Sequence, residues 1–364
     1  MASCHIPAAF KLDILMNAML LTPEEIKQQT RELWKLSFHD SEEFMDIYFS
    51  EKYQDKSNLT LRSDGRITAA MQLLPYRMTF YGTVVHAGYV SGLCVSETER
   101  GQGQAGRLLK EAHRRLFQQG SVLSFLIPGN EELRHFYEQE SHGNYWTSTF
   151  RKETEITIEH PVDERIEISQ PEEWGDELYV FYRRHTLNQN FMLHPSENDF
   201  FAALATCDME NGWVLVARRK RRLMGICLAV VEGDGRCFLR SLVAVDAQVK
   251  DNFVQYLQQH CGVEKVYARI AVPGSVTGAS PYAMARVINV EKLLQSVLVA
   301  FPDFELHIGV SGDMDIPENN GFYWVRNGKV TVTDEHPDTI VTPGGLAAML
   351  LGAHPTKLEL MLDE

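Results

Sequence analysis

The residues from Val95 to Gly106, Val-Ser-Glu-Thr-Glu-Arg-Gly-Gln-Gly-Gln-Ala-Gly, constrain this chain more than any other stretch. They follow an apolar run with strand character and open directly into a helical pattern. Gly101, Gly103 and Gly106, with Ala105 among them, stand where a strand becomes a helix. Bare backbone at such a junction can turn sharply and approach a partner closely. The first N–H groups of a helix lack intrahelical acceptors and lie at the positive end of its dipole, so a loop of this kind can wrap phosphate oxygens. A glycine-rich turn alone is weak evidence, and the rest of the chain decides its meaning.

A length of 364 residues is too great for a typical single core and implies two or three domains. The net charge of −14 argues against general nucleic-acid binding and leans towards cationic or amine-bearing partners. The cysteines Cys4, Cys94, Cys207, Cys227, Cys237 and Cys261 show no paired spacing and no metal-type histidines beside them. A disulfide framework and a metal site are therefore not expected, and a reducing cytoplasm is the expected compartment. No apolar run reaches the roughly 18 residues of a membrane span. The stretch Ile6 to Leu21 is apolar but is interrupted by Lys11 and Asp13 and lacks a basic start, so it reads as an extension rather than a signal peptide.

Thr22-Pro23-Glu24-Glu25 predicts a helix start, and Ile26, Thr30, Leu33, Trp34 and Phe38 give it one buried stripe. Two strands, Asn58 to Leu61 and Ile67 to Leu74, flank the turn Ser63-Asp64-Gly65-Arg66. A second turn at Tyr81-Gly82 leads into a long strand, Val84 to Val95, whose end carries the glycine loop. Beyond the loop Ala105, Leu108, Leu109, Ala112 and Leu116 recur at helical spacing up to Gly120. Val122 to Ile127 reads as a strand buried on both faces, and Pro128-Gly129-Asn130 turns the chain into a helix from Glu131 to Tyr137.

A second segment repeats this order. Pro171 to His185 reads as helical, Trp213 to Ala217 and Leu223 to Val231 as strands around the basic turn Arg218 to Arg222, and Cys237 to Val245 as a strand before the helix Asn252 to His260. The basic turn reads as a solvated hairpin tip rather than a nucleic-acid patch. No glycine lies between Gly235 and Gly262, so the junction at Val245 to Lys250 has no provision for close backbone approach to a pyrophosphate. A third segment opens with Met284-Ala-Arg-Val-Ile-Asn-Val and an amphipathic helix through Val299. Strands follow at Phe304 to Val310, Gly321 to Arg326 and Lys329 to Thr333, with an Asn327-Gly328 hairpin turn, then a small helix at Leu346 to Leu351.

The spacing Arg100-x-x-Gly103-x-Ala105 resembles the pyrophosphate loop of GCN5-related N-acetyltransferases (GNAT). Two such halves, the second without its loop, followed by a sterol-carrier-like tail, resemble the enhanced-intracellular-survival (Eis-type) acetyltransferases. The resemblance implies an α/β fold of mixed α+β sheets: an extension over 1–20, a catalytic GNAT domain over 21–154, a degenerate GNAT domain over 155–283 and a sterol-carrier-like domain over 284–364. It implies acetyl transfer from acetyl-CoA to a small-molecule or peptide amine. No nucleic-acid or membrane partner is expected, and homo-oligomerisation is left open. The rival readings are a CoA- or lipid-binding protein without catalysis, or an acyltransferase for a longer acyl-CoA.

Acetyl transfer needs the cofactor held, the thioester carbonyl polarised, the amine deprotonated and the leaving thiolate protonated. For holding, the resemblance points to Arg100, Gly101, Gln102, Gly103, Gln104, Ala105 and Gly106. For polarisation it points to a backbone N–H at Leu93, Cys94 or Val95, with Cys94 itself read as a packed residue rather than a nucleophile. Asn130 and Tyr137 match the Asn…Tyr pair that flanks the CoA thiol, which makes Tyr137 the candidate general acid. The Gly-Phe usual after that tyrosine is absent here. For the base, Eis-type families use the C-terminal carboxylate, here that of Glu364, with His135, His142 or a water chain as rivals.

Overall fold

A computed structural model of the protein describes residues 21–362. The expected extension over 1–20, Cys4 and Glu364 lie outside the described residues. Helix α1 (Pro23–Phe38) starts as its sequence dictates. Thr22 Oγ1 accepts from the Glu25 N–H at 3.2 Å while the Glu25 carboxylate accepts from the Thr22 N–H at 2.7 Å. Such a reciprocal cap contributes about 1 kcal/mol. Helix α2 (Glu42–Ile47), continued by a π-helical turn over Tyr48–Lys52, was not legible in the periodicity because it is so short.

Strands β1 (Asn58–Ser63), β2 (Arg66–Phe80) and β3 (Thr83–Val95) form consecutive hairpins. Both central residues of each turn have positive φ, Asp64 and Gly65 in the first and Tyr81 and Gly82 in the second. That is the backbone twist which matches two antiparallel strands. After the glycine loop come α3 (Gln104–Gln118), β4 (Leu123–Leu126), α4 (Glu131–Glu138) and the short β5 (Trp146–Thr147). β4 lies parallel to β3, so α3 is the crossover between them.

The second unit contains β6 (Phe150–Ile156), β7 (Ile166–Ser169), α5 (Glu177–Thr186), β8 (Met192–His194), α6 (Glu197–Met209), β9 (Trp213–Arg219), β10 (Arg222–Val231), β11 (Cys237–Ala244), α7 (Ala247–Cys261) and β12 (Val266–Val272). β9, β10, β11 and β12 pair in the same sense as β1 to β4, with α7 as the crossover before the parallel strand. The molecule is thus mixed α/β with tandem GNAT-like sheets. The helix expected from Pro171 begins only at Glu177, after Gly175, and no side chain caps it there. The basic run is the tip of a hairpin, with Lys220 at positive φ and Arg219 paired to Asp163.

The third segment gives β13 (Ser280–Pro281), β14 (Met284–Val287), α8 (Val290–Ala300), β15 (Leu306–Val310), β16 (Gly321–Arg326), β17 (Lys329–Thr333), β18 (Ile340–Val341), α9 (Pro343–Leu351) and β19 (Lys357–Leu358). Strands β15 to β18 form a sheet of their own. The others do not stay with it. β14 inserts between β4 and β5, β19 pairs with β8, and β8 pairs with β2, so the first sheet runs β19-β8-β2-β3-β4-β14-β5. All three segments therefore share one sheet and one core, in which Tyr89 and Phe125 pack with Leu293, Leu346 and Leu358.

A buried polar cluster also holds the tail in place. His113 of α3 lies 2.7 Å from Asp315 and 2.9 Å from the Tyr145 hydroxyl, which in turn lies 2.7 Å from Ser124. Arg286 of β14 donates to Asp313 at 2.6 Å and to the Gly143 carbonyl at 2.8 Å. Burial, and then the Arg286 guanidinium, push the His113 imidazole down to about 4. The ring is therefore neutral at neutral pH, donating from Nδ1 to Asp315 and accepting at Nε2 from Tyr145.

Candidate active site at the splayed edge of the first sheet

The first sheet opens where β3 meets the glycine loop. Parallel pairing of β3 with β4 covers only Ala87, Gly88 and Tyr89, so Val90 to Val95 has a strand neighbour on the β2 side alone. A bulge widens the opening: Cys94 faces Ala70 and Ser91 faces Gln72, which leaves Gly92 and Leu93 against Met71. Gly92 has φ +61, and a Cβ there would lie 1.8 Å from the Trp34 ring. Only glycine fits, because α1 lays that indole directly on the bulge. Leu93 to Val95 thus lie where β3 has no second strand neighbour.

The loop itself is built for backbone presentation. Gly101 and Gly103 have φ of 77° and 75°, with no atom within 4 Å of a Cβ built on either. Gly103 is the N-cap of α3, and no side chain caps that helix. Its first-turn N–H groups, those of Gln104, Ala105 and Gly106, therefore face outward with the dipole behind them. Other members of the predicted set hold the loop together. Gln104 is buried, accepting from Thr68 at 2.9 Å and donating to Glu99 at 2.8 Å. Arg100 Nε donates to the Val95 carbonyl at 3.3 Å, and Gln102 donates to the Thr98 carbonyl at 3.1 Å. Gly106 allows a close approach of a different kind, since a Cβ there would lie 2.9 Å from the Ser141 carbonyl oxygen.

A cleft of about 690 Å³ extends from the splay. Gly92, Leu93, Asn130 and Tyr137 line it together, the first two from β3 and the last two from α4 and its N-cap. Asn130 also caps α4, its Oδ1 accepting from the Leu133 N–H at 2.8 Å. Tyr137 is nearly buried, and desolvation raises its phenol above the ordinary tyrosine value, with the nearby Cys94 adding to the shift. Cys94 donates to the Ala70 carbonyl at 3.6 Å and is pushed up to about 12 by burial, which suits a packed thiol and not a nucleophile. His135 and His142 do not line the cleft: the first is exposed beside Glu131, and the second stacks on Phe136.

The far walls were not legible in the sequence. Trp34, Phe38 and Asp40 come from α1 and its end, Phe44 from α2, Glu210 from the end of α6 and Leu362 from the tail. Asp40 accepts from the Trp34 indole at 2.7 Å, and Glu210 pairs with Arg240 at 2.8 Å. The tail is held by a parallel pair of β19 with β8, by Arg151 donating to the Leu358 carbonyl at 2.9 Å and by buried Lys52 donating to the Met361 carbonyl at 2.9 Å. Leu362, the last described residue, thus reaches the same cleft as Tyr137.

Residues 19–140 match the family model described as the acetyltransferase (GNAT) domain. The chain carries a GNAT domain. The uncapped helix α3, the bulge and Tyr137 all fall within it. No curated protein matches the chain by sequence. Solved structures are similar across almost the whole length. A GCN5-related N-acetyltransferase from Anabaena variabilis aligns with a TM-score of 0.68 at 18% identity, covering 88% of this chain and 86% of its own. A probable N-acyltransferase from Enterococcus faecalis gives 0.69 at 16% identity, covering 91% and 88%. Eis1 from Mycobacterium abscessus gives 0.71 at 15% identity, covering 92% and 89%. At these identities the likeness is one of fold, and it extends beyond the GNAT domain to the second unit and the tail.

Proposed function

We propose that this protein transfers an acetyl group from acetyl-CoA to a primary amine, directly within a ternary complex. The observation that carries the reading is the helix α3 terminus: three N–H groups without a side-chain cap, two glycines in open space, and a strand edge leading from them to Tyr137. Acetyl-CoA would supply the activated thioester. The pyrophosphate would lie on the backbone of Gly101 to Gly106, and the thioester carbonyl against the N–H groups at the bulge.

In the reaction the amine lone pair attacks the carbonyl carbon, a C–N bond forms, the C–S bond breaks, and the amine loses a proton. Tyr137 holds its proton at neutral pH because burial raises its phenol, so it stands as a neutral donor to the departing sulfur. The same burial that lifts the neighbouring Cys94 thiol to about 12 would make a thiolate in that position a stronger base, which favours the transfer. The carboxylate of Glu364 is assigned the amine's proton, and the course of the tail to Leu362 in the cleft supports this. Asp40 and Glu210, with the Trp34 and Phe38 rings, suit an acceptor that is cationic before it is deprotonated. The tail, read as a sterol-carrier-like unit, enters as the scaffold that delivers this end of the chain.

Calorimetry with acetyl-CoA, followed by mass spectrometry of products from a panel of amines, peptides and aminoglycosides, tests the reading. Saturable binding and a mass gain of one acetyl group on an amine are expected. Absence of acetyl-CoA binding removes the enzyme reading, whereas faster transfer from a longer acyl-CoA replaces only the donor. A short peptide appended after Glu364 should suppress turnover while leaving acetyl-CoA affinity unchanged, and full activity with it would remove the carboxylate from the mechanism.

A further inference from the structure

At the opposite end of β2 and β3 from the glycine loop lies a cavity of about 460 Å³, roofed by α5. Its floor is a basic row across three strands: Arg77 of β2 stands directly opposite His86 of β3 on one side and His194 of β8 on the other. Arg183 reaches it from α5, along with Tyr179 and Tyr182, and Val84 and Leu187 supply apolar wall. Among the described residues no carboxylate lies within 4.0 Å of Arg77 or Arg183. Asp199, beside the cavity, is already committed: it accepts from the Tyr76 hydroxyl at 2.9 Å, pairs with Lys52 at 3.2 Å and accepts from Ser196 at 2.7 Å. Glu197 lies near Tyr179 and makes no ion pair with Arg183. In a chain of net charge −14, Arg77 and Arg183 line the same pocket, both open to solvent and neither in an ion pair with a described carboxylate.

We propose that this cavity is a second ligand site, for a small organic oxyanion carried on a compact aromatic or apolar body. Arg77 and Arg183 form charge-assisted hydrogen bonds to the oxyanion, and their planar forks suit a carboxylate or a phosphate equally. The body of the ligand packs on Tyr179, Leu187 and Val84. The volume is that of an ordinary small-molecule pocket. The site stands apart from the acetyl-transfer cleft: none of the residues lining one lines the other.

Calorimetry on the full chain with phenyl phosphate, benzoate and inorganic phosphate tests this and separates the two oxyanions. One of the aromatic probes is expected to saturate at one molecule per chain and to bind more tightly than inorganic phosphate. In the double variant Arg77→Gln with Arg183→Gln its affinity should fall about tenfold or more. That variant should keep its thermal unfolding midpoint, which shows that the loss is not one of folding. Three outcomes would overturn the proposal: no saturation by either aromatic probe at millimolar concentration, equal binding by the folded double variant, or displacement of the probe by excess acetyl-CoA. The last would place the probe in the acetyl-CoA site. Failure of acetyl-CoA itself to bind leaves the first two readouts intact.

Discussion

In the GNAT domain the crossover helix α3 begins at Gly103, which has no side chain to cap it; in the second unit the matching helix α7 begins at Asp246, whose carboxylate accepts from the Val249 N–H at 2.9 Å. Both helices follow the third of three antiparallel strands, and both precede a parallel partner. One terminus leaves its N–H groups without a side-chain cap. The other satisfies one of them internally and adds a negative charge where a phosphate would have to come. A buried polar residue on each helix also serves a different neighbour. His113 ties α3 to the tail, whereas Asp251 accepts from the backbone of Glu159 and His160 and pins the chain entering the second unit.

The largest test of this contrast is Tyr137→Phe. Turnover should fall by about 10²–10⁴-fold, the usual range for a general acid. Acetyl-CoA affinity by calorimetry should stay unchanged, and unaltered turnover would strip the GNAT domain of its assigned acid. Next is the pH dependence of stability through His113, the anchor peculiar to α3. Its folded value of about 4 lies below the ordinary 6.5, so between those values the unfolded chain binds more protons than the folded one. Stability should therefore be lost as pH falls from about 6.5 towards 4, by about 3 kcal/mol in the limit. Urea titrations across that window should show a shallower pH slope in His113→Gln than in the parent protein; identical slopes would mean the ring does not titrate as described.

A smaller effect comes from giving α3 the chemistry of α7. Gly103→Asp should weaken acetyl-CoA about tenfold more than Gly103→Asn, since both side chains tolerate positive φ and only one carries charge. Equal affinities would show that the open terminus does not hold the pyrophosphate. The smallest is Asp246→Ala, which should cost about 1 kcal/mol of stability in chemical denaturation, as loss of a helix cap does. It should create no second acetyl-CoA site, because the α7 junction still has no glycine between Gly235 and Gly262. A stoichiometry of two per chain would contradict that.

The sequence by itself determined what depends on near neighbours. Thr22 and Glu25 cap α1, Asp64-Gly65 and Tyr81-Gly82 set two hairpins, and Gly101 and Gly103 make the loop. The stripe Leu108, Leu109, Ala112 and Leu116 buries α3, and the pairing of Asn130 with Tyr137 marks α4. Caps, turns and helical faces are fixed by residues a few positions apart, so their chemistry can be read along the chain. His113 stood inside that apolar stripe as a signal of a buried partner, but nothing local named Asp315 or Arg286.

Tertiary structure alone decided which segments share a sheet. Met284 to Val287, expected to open the tail, is a strand of the first sheet, and Met192 to His194 and Lys357 to Leu358 complete its other edge. Strand partners are chosen by hydrogen bonding and packing between residues far apart in sequence, and an apolar run carries no record of its neighbour. For the same reason Asp40, Glu210 and Leu362 could not be placed in one cleft, nor Arg77 and Arg183 in one cavity, until the chain had brought them together.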